Sequence, residues 1–162
     1  MTIFSIRPAQ PLDVAHIQSM IMELAVFEKL EHLVASTEAL LHEGLFGVRP
    51  SCEAIIGEEN GEVVCFALYF HNFSTFLTKK GLYLEDLYVL QSHRGKGYGT
   101  RMLTRLAQIA VERECGRFEW SVLDWNEPAI QFYKSMGADV MPDWRICRVA
   151  GDTLTALAQR SS

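Results

Sequence analysis

Gly81 to Glu112 reads GLYLEDLYVLQSHRGKGYGTRMLTRLAQIAVE, and its residue pattern changes twice within 32 residues. Gly81 to Leu90 is dense in leucine and aromatic residues and reads as a strand. From Met102 onward, Met102, Leu103, Leu106, Ala107, Ala110 and Val111 recur at helical spacing, which predicts a helix with one wide apolar face. Between them Gly95, Gly97 and Gly99 alternate with Lys96 and Tyr98, next to Arg94. Glycines let backbone amides come close to a ligand or take positive φ. A helix start carries about half a positive charge on unsatisfied N–H groups and attracts anions. An ordinary turn with solvated basic residues has the same composition, so the loop alone leaves both readings open. Two phosphate loops are excluded. The Walker pattern wants Gly-Lys-Ser/Thr, and the dinucleotide pattern wants Gly-x-Gly-x-x-Gly, whereas Gly95-Lys96-Gly97-Tyr98-Gly99 is one residue short.

Upstream, IFSIRPA reads as an edge strand ending at Pro8. Asp13 is placed to cap a helix from about Val14 to Lys29, with Ile17, Met20, Ile21, Leu24 and Phe27 on one face. Thr37 starts a second helix through Leu45. CEAIIGEENGEVVCFALYF is two strands joined at Asn60-Gly61, a strong hairpin signal. Asn72 to Lys80 reads as a polar loop. Downstream, RFEWSVL is a further strand, Glu127-Pro128 opens a helix stopped by Gly137, and WRICRVA is a last strand, with Asp152 capping a short terminal helix. The expectation is one α/β (α+β) domain over residues 1–162, a hairpin half followed by a strand–helix–strand–helix–strand half.

Composition narrows the function classes. Net charge is −5 with 22% charged residues, so no basic surplus is available for nucleic-acid phosphates. No apolar run approaches the ~20 residues that span a bilayer, and MTIFSIRPAQ does not read as a signal peptide. Cys52, Cys65, Cys115 and Cys147 lack paired spacing and read as buried free thiols of a cytoplasmic protein. The five histidines show no zinc-ligand spacing, and no metal is expected.

Arg94-Gly95-Lys96-Gly97-Tyr98-Gly99 followed by an amphipathic helix resembles the Arg/Gln-x-x-Gly-x-Gly/Ala motif of the GNAT acetyltransferase superfamily. LYLEDLYVLQSHRGKGYG, DWNEPAIQFYKSMGA and IRPAQPLDVAHIQSMIMELAVFE together are similar to the diamine (spermidine/spermine) and thialysine acetyltransferases of that superfamily. The resemblance implies a mixed, mostly antiparallel central sheet flanked by helices. It also implies acetyl-CoA as co-substrate, a small-molecule amine as acceptor, and a homodimer. It places the coenzyme's pyrophosphate on Arg94, Gly95, Lys96, Gly97, Tyr98, Gly99 and Thr100, its pantetheine along the backbone of Leu87, Tyr88 and Val89, and further contacts at Asn126, Ala129 and Tyr133.

Amine acetylation needs a deprotonated amine, an aligned thioester and a proton for the departing thiolate. A tyrosine, with an ordinary pKa of ~10, stays protonated at neutral pH, so Tyr133 suits the proton donor, the role the resemblance gives it; a hydrogen-bonded core tyrosine is the alternative. Glu85 and Asp86 stand in an apolar strand, where period-two geometry sends them to opposite faces, Glu85 with Tyr83, Leu87 and Val89. A buried carboxylate is costly unless paired or functional. The resemblance points Glu85 at the amine as its base, against a structural ion pair, and makes Asp86 structural or a secondary amine contact. Phe27, Glu28 and Trp144 match the relatives' amine site; a solvated helix end and a half-buried strand tryptophan are their plainer readings. The segment from Gly137 to Trp144 is shorter than in the polyamine enzymes, and the hairpin tighter, which weakens the case for a long polyamine. Protein or aminoglycoside amines, and a non-catalytic acyl-CoA sensor, are the alternatives.

Overall fold

Asn60 and Gly61 both take positive φ, 53° and 87°, which is what a two-residue turn matched to strand twist requires. The hairpin they close is the middle of the sheet. In the computed structural model, which describes residues 1–160, the chain divides into two units, Met1–Ser121 and Val122–Ser162.

The first unit holds β1 (Phe4–Pro8), α1 (Val14–Phe27), α2 (Glu38–Phe46), β2 (Glu53–Glu59), β3 (Glu62–Ser74), β4 (Lys79–Val89), α3 (Tyr98–Glu112) and β5 (Phe118–Glu119). The sheet runs in sequence order β1-β2-β3-β4-β5. Its first four strands are antiparallel neighbours, and β5 is parallel to β4 across the α3 crossover. Ile17 and Met20 of α1 and Leu45 of α2 pack on Ala54, Ile56, Phe66, Leu68 and Tyr88 of the sheet. Helix α3 buries Tyr98, Met102, Leu103, Leu106, Ile109 and Ala110. Burying a large aliphatic side chain contributes about 1.5–3 kcal/mol, so the fully buried Ile17, Ile56, Phe66, Leu82, Met102 and Leu106 fix the sheet between its helices.

Several expectations are corrected. Ala107 and Val111 face solvent and Ile109 is buried instead, so the apolar stripe of α3 is narrower than its sequence suggests. Asp13 does not cap α1 with its side chain. Its carboxylate takes Arg7 Nη1 and Nη2 at 2.7 and 2.9 Å and the Gln10 amide at 2.7 Å, while Arg7 Nε donates to Glu58 at 2.8 Å. A guanidinium that can satisfy both oxygens outcompetes a single backbone amide for a buried carboxylate. Thr37 does cap α2, its hydroxyl accepting from the Leu40 amide at 3.2 Å.

The segment Asn72 to Lys80, read as loop, is mostly strand. The β3–β4 ladder continues through Asn72↔Gly81, Phe73↔Lys80 and Ser74↔Lys79, because an antiparallel ribbon wetted on one face accepts polar residues. Of RFEWSVL only Phe118 and Glu119 pair, with Leu82 and Tyr83. The second unit holds α4 (Glu127–Ser135) and α5 (Asp152–Ala158); Gly151 rather than Asp152 occupies the N-cap of α5. WRICRVA forms no strand, since residues 138–150 carry neither helix nor strand and Trp144 and Ile146 are 76% and 70% exposed. An alternating pattern describes a surface that suits pleating; it does not supply the neighbouring backbone that must pair with it. The four cysteines are free, but Cys147 is exposed and only Cys65 is fully buried.

Candidate active site

Strand β4 is irregular where its two carboxylates stand. Its register against β3 steps from Leu68↔Asp86 to Tyr69↔Leu84, leaving Glu85 as the extra residue of a bulge. Period-two alternation is therefore broken. Residues paired across a ladder share a face, so Asp86 lies on the α1 side with Leu68, Phe66 and Tyr88, while Leu87 and Val89 lie on the α3 side with Ala67 and Cys65. Tyr83, opposite Phe70, does not share their face. The bulge re-aims Asp86 toward α1 and leaves Glu85 exposed.

Burial pushes the Asp86 carboxyl up to about 6, and the negative charges of Glu85 and Glu28 push the same way. Glu28 caps the C-terminal end of α1 and is itself raised by burial. Asp86 thus stands within the field of two further carboxylates, one from its own strand and one from the end of α1, an arrangement that is costly for the protein alone and that a cation relieves. Phe27, 45% exposed, lies beside them in sequence at the end of α1.

The other edge of β4 is open. Pairing with β5 stops at Tyr83↔Glu119, so among the described residues Leu84 to Val89 pair only with β3. The strand then passes a short turn at Gln91–His93 and enters the glycine loop. Gly95 and Gly97 have φ of 76° and 80°, conformations that suit glycine, and a Cβ on Gly95, Gly97 or Gly99 would meet nothing within 4 Å. Gly97 is the N-cap of α3 and has no side chain to take the amides of the first turn, Tyr98, Gly99 and Thr100. An open strand edge leading to uncapped helix amides fits an extended ligand that ends in phosphate.

The loop's side chains are already engaged. Arg94 Nε donates to the Val89 carbonyl at 3.2 Å, and its guanidinium lies 5.2 Å from the Tyr88 ring centroid and 5.5 Å from that of Phe27. It ties the glycine loop to the end of α1. The Tyr88 hydroxyl donates to Glu23 of α1 at 2.9 Å. Lys96 contacts Glu59 at 2.7 Å, and Tyr98 is buried against Phe4 with its hydroxyl on the same carboxylate. Tyr98 can therefore offer a ligand only its backbone. Nothing in the sequence marks Glu23 or Glu59; each looks like a solvated acid at the edge of an element, and only the fold brings a partner to it.

In the second unit, Asn126 is the N-cap of α4, its Oδ1 accepting from the Ala129 amide at 3.4 Å. Tyr133 lies on the same helix, half-buried, with its ring 5.5 Å from that of Phe132. Trp144 stands in the irregular segment, largely exposed.

The model of the acetyltransferase (GNAT) family matches residues 17–138, through β4, the glycine loop and α4. The chain belongs to the GNAT acetyltransferase family. It is similar to the thialysine N-epsilon-acetyltransferase of Mus musculus, 37% identical over 96% of this chain and 97% of that one. It is also similar to the L-ornithine N5-acetyltransferase of Arabidopsis thaliana, 35% identical over 94% of this chain and 86% of that one. A solved structure of an integron cassette protein from the mobile metagenome of V. cholerae superposes with a TM-score of 0.81, at 28% identity over 97% of this chain and 98% of that one. GNAT membership makes the chain an N-acetyltransferase, and the family uses acetyl-CoA. Among the described residues no cluster of His, Cys, Asp and Glu could hold a metal ion, and no helix is long and apolar enough to cross a membrane.

Proposed function

We propose that this GNAT enzyme moves acetyl from acetyl-CoA directly to a primary amine of a small diamine or polyamine, or of a lysine-like amino acid of the thialysine type. The observation that carries the acceptor class is the trio Glu28, Glu85 and Asp86, beside an open strand edge that leads to the glycine loop. A second cationic centre on the acceptor is what such a group of carboxylates would select. The activities for which these relatives are named, on ornithine and thialysine, are of the same chemical kind.

Acetyl-CoA supplies an acetyl group activated as a thioester. The chain's residues then have separate tasks. The amides of Gly95, Gly97, Gly99 and Thr100 and the charge of Arg94 bind phosphate. The backbone of Leu87, Tyr88 and Val89 takes an extended ligand as a further strand, and a backbone N–H there polarises the carbonyl to be attacked. Glu85, exposed at the bulge, takes the ammonium proton, and Asp86, with Glu28, holds the acceptor's charge. Tyr133 is the donor to the departing thiolate. The resemblance alone assigns further contacts to Asn126, Ala129, Phe27 and Trp144. A cytoplasmic homodimer is part of the same reading and rests on the resemblance.

Thiol release from acetyl-CoA with putrescine, spermidine, lysine, ornithine and thialysine, compared by kcat/KM, tests the acceptor. The reading expects the highest value for a short acceptor with two cationic centres. A protein or aminoglycoside amine outperforming all five would overturn it.

A further inference from the structure

Glu59 closes β2, next to the Asn60-Gly61 turn and 37 residues before Lys96. Three side chains, two from the loop between β4 and α3 and one from the first residue of α3, converge on its carboxylate. Lys96 Nζ lies 2.7 Å from Oε1, His93 Nε2 lies 3.2 Å from Oε2, and the Tyr98 hydroxyl donates to Oε1. Tyr98 is 5% exposed and stacks on Phe4 at 4.0 Å and 9°. Phe4 is also the residue opposite Glu59 in the β1–β2 ladder. Arg101 completes the attachment, its guanidinium 4.5 Å from the Phe4 ring and Nη2 donating to the Phe4 carbonyl at 3.0 Å. The loop is therefore fastened to the β1–β2 edge, and Glu59 is the charged point of attachment.

The loop needs such a fastening. Gly95, Gly97 and Gly99 have no side chains with which to hold a conformation, and glycine loses more backbone freedom on ordering than any other residue. A ligand that binds one arrangement of a mobile loop binds more weakly by the fraction of time that arrangement is populated.

We propose that Glu59 is the positioning residue of the coenzyme loop, and that Lys96 acts through Glu59 rather than as a phosphate ligand. The inference rests on the reading of the loop as the coenzyme site. A lysine held on a carboxylate is locally neutralised, which leaves the uncapped amides of α3 and Arg94 as the groups that meet phosphate. Glu59 touches neither amine nor thioester in this account. Its removal therefore weakens coenzyme binding while leaving the saturated rate and the KM for amine in place.

Calorimetric titration with coenzyme A of wild type, Glu59→Gln, Lys96→Met and the double variant tests this, with thermal unfolding run alongside. Glu59→Gln should raise the Kd for coenzyme A about tenfold, the scale set by hydrogen bonds that lose their charge. Lys96→Met should add nothing further in the Glu59→Gln background, since both changes break one attachment. Should Glu59→Gln fail to fold, Tyr98→Phe and Lys96→Met remove its partners singly, and each should weaken coenzyme binding. A Glu59→Gln protein that folds and binds coenzyme A like wild type overturns the anchoring role. A further loss on adding Lys96→Met makes Lys96 a phosphate ligand and overturns the second half. A wild-type chain that binds no coenzyme A overturns the coenzyme reading itself, a result distinct from either.

Discussion

Asp86→Asn isolates the electrostatic strain at the bulge. In the folded chain the Asp86 carboxyl is raised from its ordinary 3.8 to about 6, first by burial and then by Glu85 and Glu28. The folded state thus holds the proton more tightly than the unfolded chain does. The stability tied to that proton is fully present below about 3.8 and is lost as pH rises through about 6. At ~1.4 kcal/mol per pH unit, the ionised carboxylate costs the fold about 3 kcal/mol at pH 7.5 and about 1 kcal/mol at pH 4.5. Asparagine has nearly the same shape and no charge. The stability of Asp86→Asn relative to wild type should therefore climb by about 2 kcal/mol from pH 4.5 to pH 7.5 and level off above.

Urea unfolding at several pH values, followed by tryptophan fluorescence, reads this difference directly. Taking the difference between the two proteins cancels the titrating groups that do not interact with Asp86, and any fixed cost of burying the amide shifts the curve without tilting it. The same variant should show a raised KM for the amine, because a charge that destabilises the free protein is the one a cation is drawn to. A pH-independent difference, or a wild type that gains on the variant as pH rises, would refute the argument.

Tyr133→Phe should lower kcat by about 10²-fold, the scale of a lost general acid, with coenzyme binding little changed; a fully active variant removes that role from Tyr133. Glu85→Gln should depress the rate and shift its pH profile, and an unaltered profile would make Glu85 structural. Gly61→Ala forces a side chain onto a φ of 87° and should cost roughly 1–2 kcal/mol in urea unfolding, with no loss expected if the turn rearranges.

What the sequence made legible follows from how directly residue identity constrains backbone. Asn60-Gly61 and the glycines of the coenzyme loop announce positive φ by composition, and the structure places 53° and 87° at the first pair and 76° and 80° at Gly95 and Gly97. Apolar spacing likewise marks α1 and α3. The bulge at Glu85 has no such marker. Glu-Asp in a strand looks the same whether the ladder is regular or slips by one residue, and the face of Asp86 depends entirely on that slip. WRICRVA carries a strand pattern, yet pattern does not create a pairing partner. Asp13 looks like a cap because caps are local, whereas its actual partner Arg7 comes from the preceding strand. Glu59 was illegible for the same reason, since Lys96 and Tyr98 reach it only once the sheet and α3 are assembled.

The central claim is direct transfer of acetyl from coenzyme to amine, and a single-turnover measurement tests it. Enzyme is mixed with acetyl-CoA and ornithine or thialysine, quenched at intervals, and both protein and amine are weighed by mass spectrometry while thiol release is followed. The account predicts that acetyl appears on the amine as fast as thiol is released, with no acetylated protein at any time. Acetyl accumulating on the protein first, or coenzyme binding with no acetylated amine, would contradict it.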